Sequence, residues 1–214
     1  MSAPYKPFKR RSAGPSALTG HPAHGASLIV VMLLLVVVSI LGVSAVQISM
    51  MGERATRNDR DLQVAWQAAE AGLVDASFDL EGLPASSTSK RNTLFKPGEV
   101  DVGKFEVGCG TSSLSKGLCA YNVAGKPAWL TVDFTANAAG ANTTGFGTFT
   151  GRAFASGDAG VQPARPPRYV IELVENYDSR TKAQKDREPV FRVTSMGFGP
   201  NLTTQVVLQM LYRN

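Results

Sequence analysis

Hydrophobic and polar positions along the chain divide it into three regimes. No charged residue occurs between Arg11 and Glu53, and Leu28 to Leu41 is aliphatic except for Met32 and Ser39. The apolar character continues more weakly through Val43, Val46, Ile48 and Met51. As a helix, residues 26–51 would extend about 39 Å at ~1.5 Å per residue. A hydrocarbon core of ~30 Å needs roughly 20 residues, so the run is long enough to span a bilayer. From Glu53 the pattern changes to a stripe: Leu62, Ala65, Trp66, Ala69, Leu73, Ala76 and Leu80 recur at steps of three and four. Opposite charges stand four residues apart at Glu53 and Arg57, and again at Arg57 and Asp61. No proline lies between Pro22 and Pro84, and Gly82 followed by Pro84 is a stop signal. The pattern therefore predicts one helix over residues 26–81, about 84 Å long at ~1.5 Å per residue. Gly42, Gly52 and Gly72 weaken it locally, each by ~1 kcal/mol relative to alanine. Leu62, Trp66, Ala69, Leu73 and Leu80 are expected to pack this helix against the rest of the chain. Trp66 and Phe78 are expected in the core.

Beyond Pro84 the period shortens. Val102 to Val107 and "AWLTVDF" read as strands, the latter anchored by Trp129. Three later segments alternate more clearly. They place Tyr169, Ile171 and Leu173 on one face, then Phe191 with Val193, then Val206, Leu208, Met210 and Tyr212. These three segments predict an antiparallel meander. A long helix followed by such a sheet is an α+β fold. Residues 136–167, rich in Ala, Gly, Thr and Pro, are expected to form a long surface connection. Phe146, Phe149 and Phe154 in it either face a partner or pin the loop to the sheet.

Charge and composition narrow the function. Of the net charge of +5, four positive charges (Lys6, Lys9, Arg10 and Arg11) precede the apolar run. Their placement puts the N-terminus in the cytoplasm and the domain on the far side of the membrane. It also makes the basic balance a property of the leader rather than of a nucleic-acid-binding face. The two histidines, His21 and His24, lie upstream of the run, so the domain has no imidazole for a Ser–His or Cys–His pair. No EF-hand spacing surrounds Asp158 or Asp178, and there is no phosphate loop or nucleophile elbow. No cofactor, metal or catalytic residue is expected. Cys109 and Cys119 enclose a hydrophilic loop, lack a C-x-x-C spacing, and are expected to form a structural disulfide outside the cytoplasm.

Three fates are open to the apolar run. "VSAV" offers a secretory cleavage site after Ala45. An uncut run would be a plain anchor. A cut before Ala26, after "HG", would remove the basic leader and retain the greasy helix.

The stretch from Gly25 through "LIVVMLLLVVVSILGVSA", the "ERATRNDRD" block and "AWQAAEAGL" resembles, in order, the N-terminus of the PilX family of type IV minor pilins. "FGTFTG", "PRYVIELVE" and "FRVTSMGFGPNLTTQVVLQMLYR" are similar to that family's C-terminal part. Residues 83–145 match more loosely. The resemblance implies a type IV pilin-like fold divided into a leader (1–25), a membrane and assembly helix (26–52), its amphipathic continuation (53–82) and a periplasmic domain (83–214). It implies cleavage between Gly25 and Ala26 by prepilin peptidase and N-methylation of Ala26. It also implies assembly through a helix carrying Leu28, Val30, Leu33, Leu34, Leu35 and Gly42. Val30 would be the fifth mature residue, where major pilins carry a glutamate that pairs with the terminal amine of the subunit above. A subunit without that carboxylate suits a place with no neighbour above it, at or near a filament tip. The implied partners are other minor pilins and the major pilin, the prepilin peptidase, the inner-membrane assembly platform and an adhesin held at the tip. The expected function is initiation of pilus assembly, supporting motility, adhesion or DNA uptake. A type II secretion minor pseudopilin, a membrane-anchored periplasmic binding module and a secreted enzyme are the alternatives.

Overall fold

A computed structural model describes residues 26–96, 99–122, 124–174 and 189–213. One helix, α1, runs over Ala26–Glu81. It stops where the sequence predicts. Gly82 takes φ +77°, and the Leu83 N–H reaches back 2.8 Å to the Phe78 carbonyl. That bond closes the helix as a Schellman turn, which needs a residue free to adopt the left-handed region. The strands are β1 (Leu118–Cys119), β2 (Thr144–Gly145), β3 (Arg168–Val174), β4 (Val190–Phe198) and β5 (Gln205–Arg213).

The three long strands form the expected antiparallel meander, with Ile171 opposite Val193 and Val193 opposite Met210. The other edge of β3 is shared: β1 pairs with it in parallel and β2 antiparallel, so the sheet is mixed. Two strand expectations fail. Val102–Lys104 and Ala128–Leu130 are short 3₁₀ turns, and Val102 and Val107 are exposed. Gly103 and Lys104 interrupt the first run, and the second enters from Pro127 into a turn closed by the Leu130 N–H on the Pro127 carbonyl. The expected long connection at 136–167 contains β2.

The chain divides into two compact units, one ending at Met51 and the other beginning at Gly52. Within the second, one face of the sheet carries Tyr169, Ile171, Phe191 and Val193 against Ala76 and Leu80 of α1, with Leu94, Phe95, Phe105 and Leu118 closing the cluster. Phe95 meets Phe105 and Phe191 edge-on. On the opposite face, Val170 and Met196 pack with Phe134, Ala128, Trp129 and the joined Cys109 and Cys119.

The helix packs through part of the expected face: Ala69 and Leu80 are buried, but Leu62 and Trp66 are not. Leu62 and Trp66 are 50% and 49% exposed, and the Trp66 indole donates to Glu70 within the helix. Leu73 is half-buried, while Ala65, Ala68, Ala69, Ala76 and Leu80 are buried. The reason is distance. A Cβ on Gly197 of β4 would lie 2.2 Å from the Ala65 carbonyl oxygen and the Ala69 nitrogen, and one on Gly72 would lie 2.2 Å from Ser195 Oγ. At that separation backbone meets backbone, and only small residues fit along the seam. Large side chains at 62 and 66 are turned to its flank.

Candidate functional site: an exposed apolar helix and a buried polar core

Two features stand out, one in each unit. In the first unit, the aliphatic residues from Leu28 to Met51 are all exposed, Val30 at 56% and Leu34 at 56% among them. Two hydroxyls in this stretch are internally satisfied: Ser39 Oγ donates to the Leu35 carbonyl at 2.7 Å, and Ser44 Oγ to the Ile40 carbonyl at 2.9 Å. No polar side chain therefore asks for water between Leu28 and Ala45. The helix is long and apolar enough to cross a membrane. Gly42 has open space around its Cα, which leaves room for another helix to approach closely. An apolar patch this large is an interaction surface for lipid or protein. Gly25, expected at the cleavage point, lies outside the described residues. Ala26 is the first residue of α1. The charged stretch beyond Met51 forms the expected Glu53–Arg57 pair, whereas Asp61 pairs with Arg60 rather than Arg57.

The second feature is a polar core that fastens the C-terminal turns of α1 to its domain. Asp75 and Asp79 are one turn apart on the buried face, both essentially without solvent exposure. Arg91 is equally buried. Its Nε donates to both Asp79 oxygens at 3.0 Å, and a terminal nitrogen donates to Oδ2 at 2.6 Å. The other terminal nitrogen donates to the carbonyls of Leu114 and Lys116 at 3.0 and 2.6 Å. The guanidinium lies 3.7 Å from the centroid of the Phe149 ring. Tyr169 of β3 donates its hydroxyl to Asp79 Oδ2 at 2.9 Å. Burial, reinforced by the Asp79 charge, pushes the Tyr169 phenol well above its ordinary value, so it remains a donor. Asp75 accepts from Thr150 Oγ1 at 2.6 Å and from the Gly147 N–H at 2.7 Å, and Arg152 stands 3.5 Å away. Burial raises the Asp75 carboxyl despite these donors.

The aspartate bonds join α1 to Arg91, to residues 147–150 and to β3, and Arg91 carries the link on to residues 114–116. Phe149 is buried, and Phe146 and Phe154 are ring partners 5.0 Å apart, with Arg152 over Phe146. The aromatics of the 136–167 segment thus hold that segment in place. A third buried carboxylate, Glu172 of β3, pairs across the sheet with Arg192 of β4. Sequence reasoning missed the polar core. Its one readable signal was two aspartates spaced four apart inside the apolar stripe of a helix. Nothing around Arg91 marked it as their partner.

The arrangement is that of a scaffold. Among the described residues, no group of three or more His, Cys, Asp or Glu side chains is placed to hold a metal ion. Asp75, Asp79 and Arg91 are engaged across the helix–domain seam.

Comparison with known families agrees with this architecture at both ends. Residues 24–74 match the PilX N-terminal family, and residues 54–214 match the family described as type IV pilus assembly protein PilX C-term. Comparisons with curated proteins and with solved structures gave no match. Together the two family matches run from residue 24 to residue 214, and the chain belongs to the PilX family of type IV pilus assembly proteins.

Proposed function

We propose that this chain is a minor pilin that joins a priming or tip complex and starts pilus growth, with no catalytic step of its own. The reading rests on one observation: an exposed helix free of charge from Ala26 to Gly52, with Val30 at the fifth position after Gly25. The precursor sits in the inner membrane with residues 1–25 in the cytoplasm and residues 83–214 in the periplasm. Prepilin peptidase cuts between Gly25 and Ala26, and Ala26 is methylated. The helix then moves from lipid into a bundle of minor and major pilin helices at the assembly platform. That exchange replaces one apolar surrounding by another, so close packing and contacts between globular domains must supply the net driving force. A shaft position would call for a carboxylate at position 30 to meet the amine of the next subunit inside the bundle, where an unpaired charge is costly. Val30 leaves no such demand, which favours an end position, where an adhesin is also held.

Mass analysis of the mature N-terminus, combined with deletion and counting of surface pili, tests the proposal. A methylated Ala26 and a loss of surface pili are expected. A mature protein beginning at Val46 or Met1 would refute the retained assembly helix. Normal piliation with a defect in type II secretion would move the chain to the pseudopilins. Even labelling along the shaft would refute the tip position.

A further inference from the structure

Where β3 begins, a cleft of about 330 Å³ opens between Lys116, just before β1, and the 136–167 segment. Three cations border it: Lys116, Arg165 and Arg168. Arg168 is only 7% exposed. Its Nε donates to Thr143 Oγ1 at 2.7 Å, and its terminal nitrogens donate to the Thr143 carbonyl at 2.7 Å and Asn137 Oδ1 at 3.2 Å. Arg165 donates to the Thr135 carbonyl at 2.6 Å, and Lys116 Nζ to the Ala139 carbonyl at 3.1 Å. Every one of these acceptors is neutral. Among the described residues no carboxylate forms an ion pair with any of the three cations, and none lines the cleft.

That pattern departs from three other arginines of the domain. Arg91, Arg152 and Arg192 all meet a carboxylate. Buried charges are ordinarily paired, because desolvation is otherwise uncompensated. At Arg168, burial lowers the guanidinium's affinity for its proton, the neighbouring Arg165 charge lowers it further, and the Asp133 charge offsets only part of this. The nearby carboxylate, Asp133, is held by the Thr135 N–H and hydroxyl at 2.8 and 2.6 Å. Three N–H groups of Arg168 are engaged out of the five that a guanidinium carries, and Arg165 and Lys116 each commit one. Several charge-assisted donors are therefore left over beside the cleft. Phe146, Pro166, Ala138 and Ala139 supply its apolar wall. Its volume lies at the lower end for small-ligand sites.

We propose that the Lys116–Arg165–Arg168 cleft is a binding site for a small oxyanion, a carboxylate or phosphate group on a body no larger than a single sugar. The guanidinium forks match the oxygens of either group and provide the charge-assisted bonds that the neutral acceptors do not.

Calorimetric titration of the full chain in non-ionic detergent, at constant ionic strength, tests it with inorganic phosphate, acetate and glucuronate as probes. Saturable binding of at least one oxyanion at one site per chain is expected, with no heat from glucose. Replacing both Lys116→Gln and Arg165→Gln should weaken it tenfold or more, while Lys96→Gln with Lys104→Gln, the same charge change outside the cleft, should leave it intact. Preference for phosphate, for acetate, or for glucuronate over acetate names the bound group, and each supports the site. Titrations that do not saturate with any probe, or equal weakening in the control pair, would overturn it. Should the double variant not fold, the single variants carry the same test, each with an expected loss of threefold or more.

Discussion

Asp75 and Asp79 show how much a single side chain decides in this domain. Asp79 neutralises a fully buried Arg91 and accepts from Tyr169, so Asp79→Ala would strand a guanidinium in the interior. Removing one partner of such a pair costs roughly 3–5 kcal/mol, whereas exchanging both for apolar residues of similar volume is often far milder. Chemical denaturation should show Asp79→Ala well below wild type, and Asp79→Leu with Arg91→Met recovering much of the loss. Asp75 gives a pH signature. Its folded carboxyl is raised above 3.8, first by burial and in smaller part by Asp79, against the bonds from Thr150 and Gly147 and the charge of Arg152. The native state thus holds this proton more tightly than the unfolded chain. Its contribution is full below pH 3.8 and is lost as pH rises through the raised value. The stability of wild type relative to Asp75→Asn should therefore fall between acid and neutral pH, as measured by denaturation of both proteins at each pH. A flat difference would mean that the donors balance burial, and a difference that rises with pH that they outweigh it.

At the level of elements, the seam between α1 and β4 is set by residues too small to announce themselves. Periodicity placed the helix correctly and drew its apolar face through Leu62 and Trp66. The packed face keeps Ala65 and Ala69 of that stripe but joins them to Ala68 and Gly72 rather than to Leu62 and Trp66, because Gly197 and Ser195 bring β4 against the helix backbone. Gly197→Ala should be the more damaging change, costing about 1–3 kcal/mol or more through overpacking against the Ala65 carbonyl. Trp66→Ala, at an exposed position, should stay within about 0.5 kcal/mol. Denaturation midpoints of the two variants decide between the seams, and the reverse order would restore the larger residues as the anchor. The meander, by contrast, was legible. Alternation over seven to nine residues sorts side chains to the two faces with period 2, in β5 as half-buried against exposed positions, and a slip of one residue would exchange the two sets. The 102–107 and 128–134 segments carried too few alternating positions to distinguish a strand from a tight turn.

On the scale of the whole molecule, the chain combines a greasy helix without internal partners and a domain with a dense polar core. A charge in the first should disable assembly without loosening the second. Leu34→Arg places a cation at an exposed position in the middle of the run, at a cost of ~2.5–3.5 kcal/mol in a membrane-inserted helix. Surface pili counted in a deletion strain carrying this variant should stay near the deletion level, with the domain's denaturation midpoint unchanged. Full restoration of pili would mean that this stretch does not enter an apolar surrounding during assembly.

The sequence by itself determined the helix from residue 26 to 81, its stop at Gly82, the apolar half, the three-strand meander and the family resemblance. These follow from local pattern: runs of aliphatic residues, periods of 3.6 and 2, and a glycine where the chain must turn. Only the tertiary structure decided that Leu62 and Trp66 fall outside the packed seam, which carboxylate meets Arg91, and that Lys116, Arg165 and Arg168 border one cleft. Residues 79 and 91, 116 and 168, and 72 and 195 are brought together by the folding of distant segments. Local periodicity carries no information about such distances.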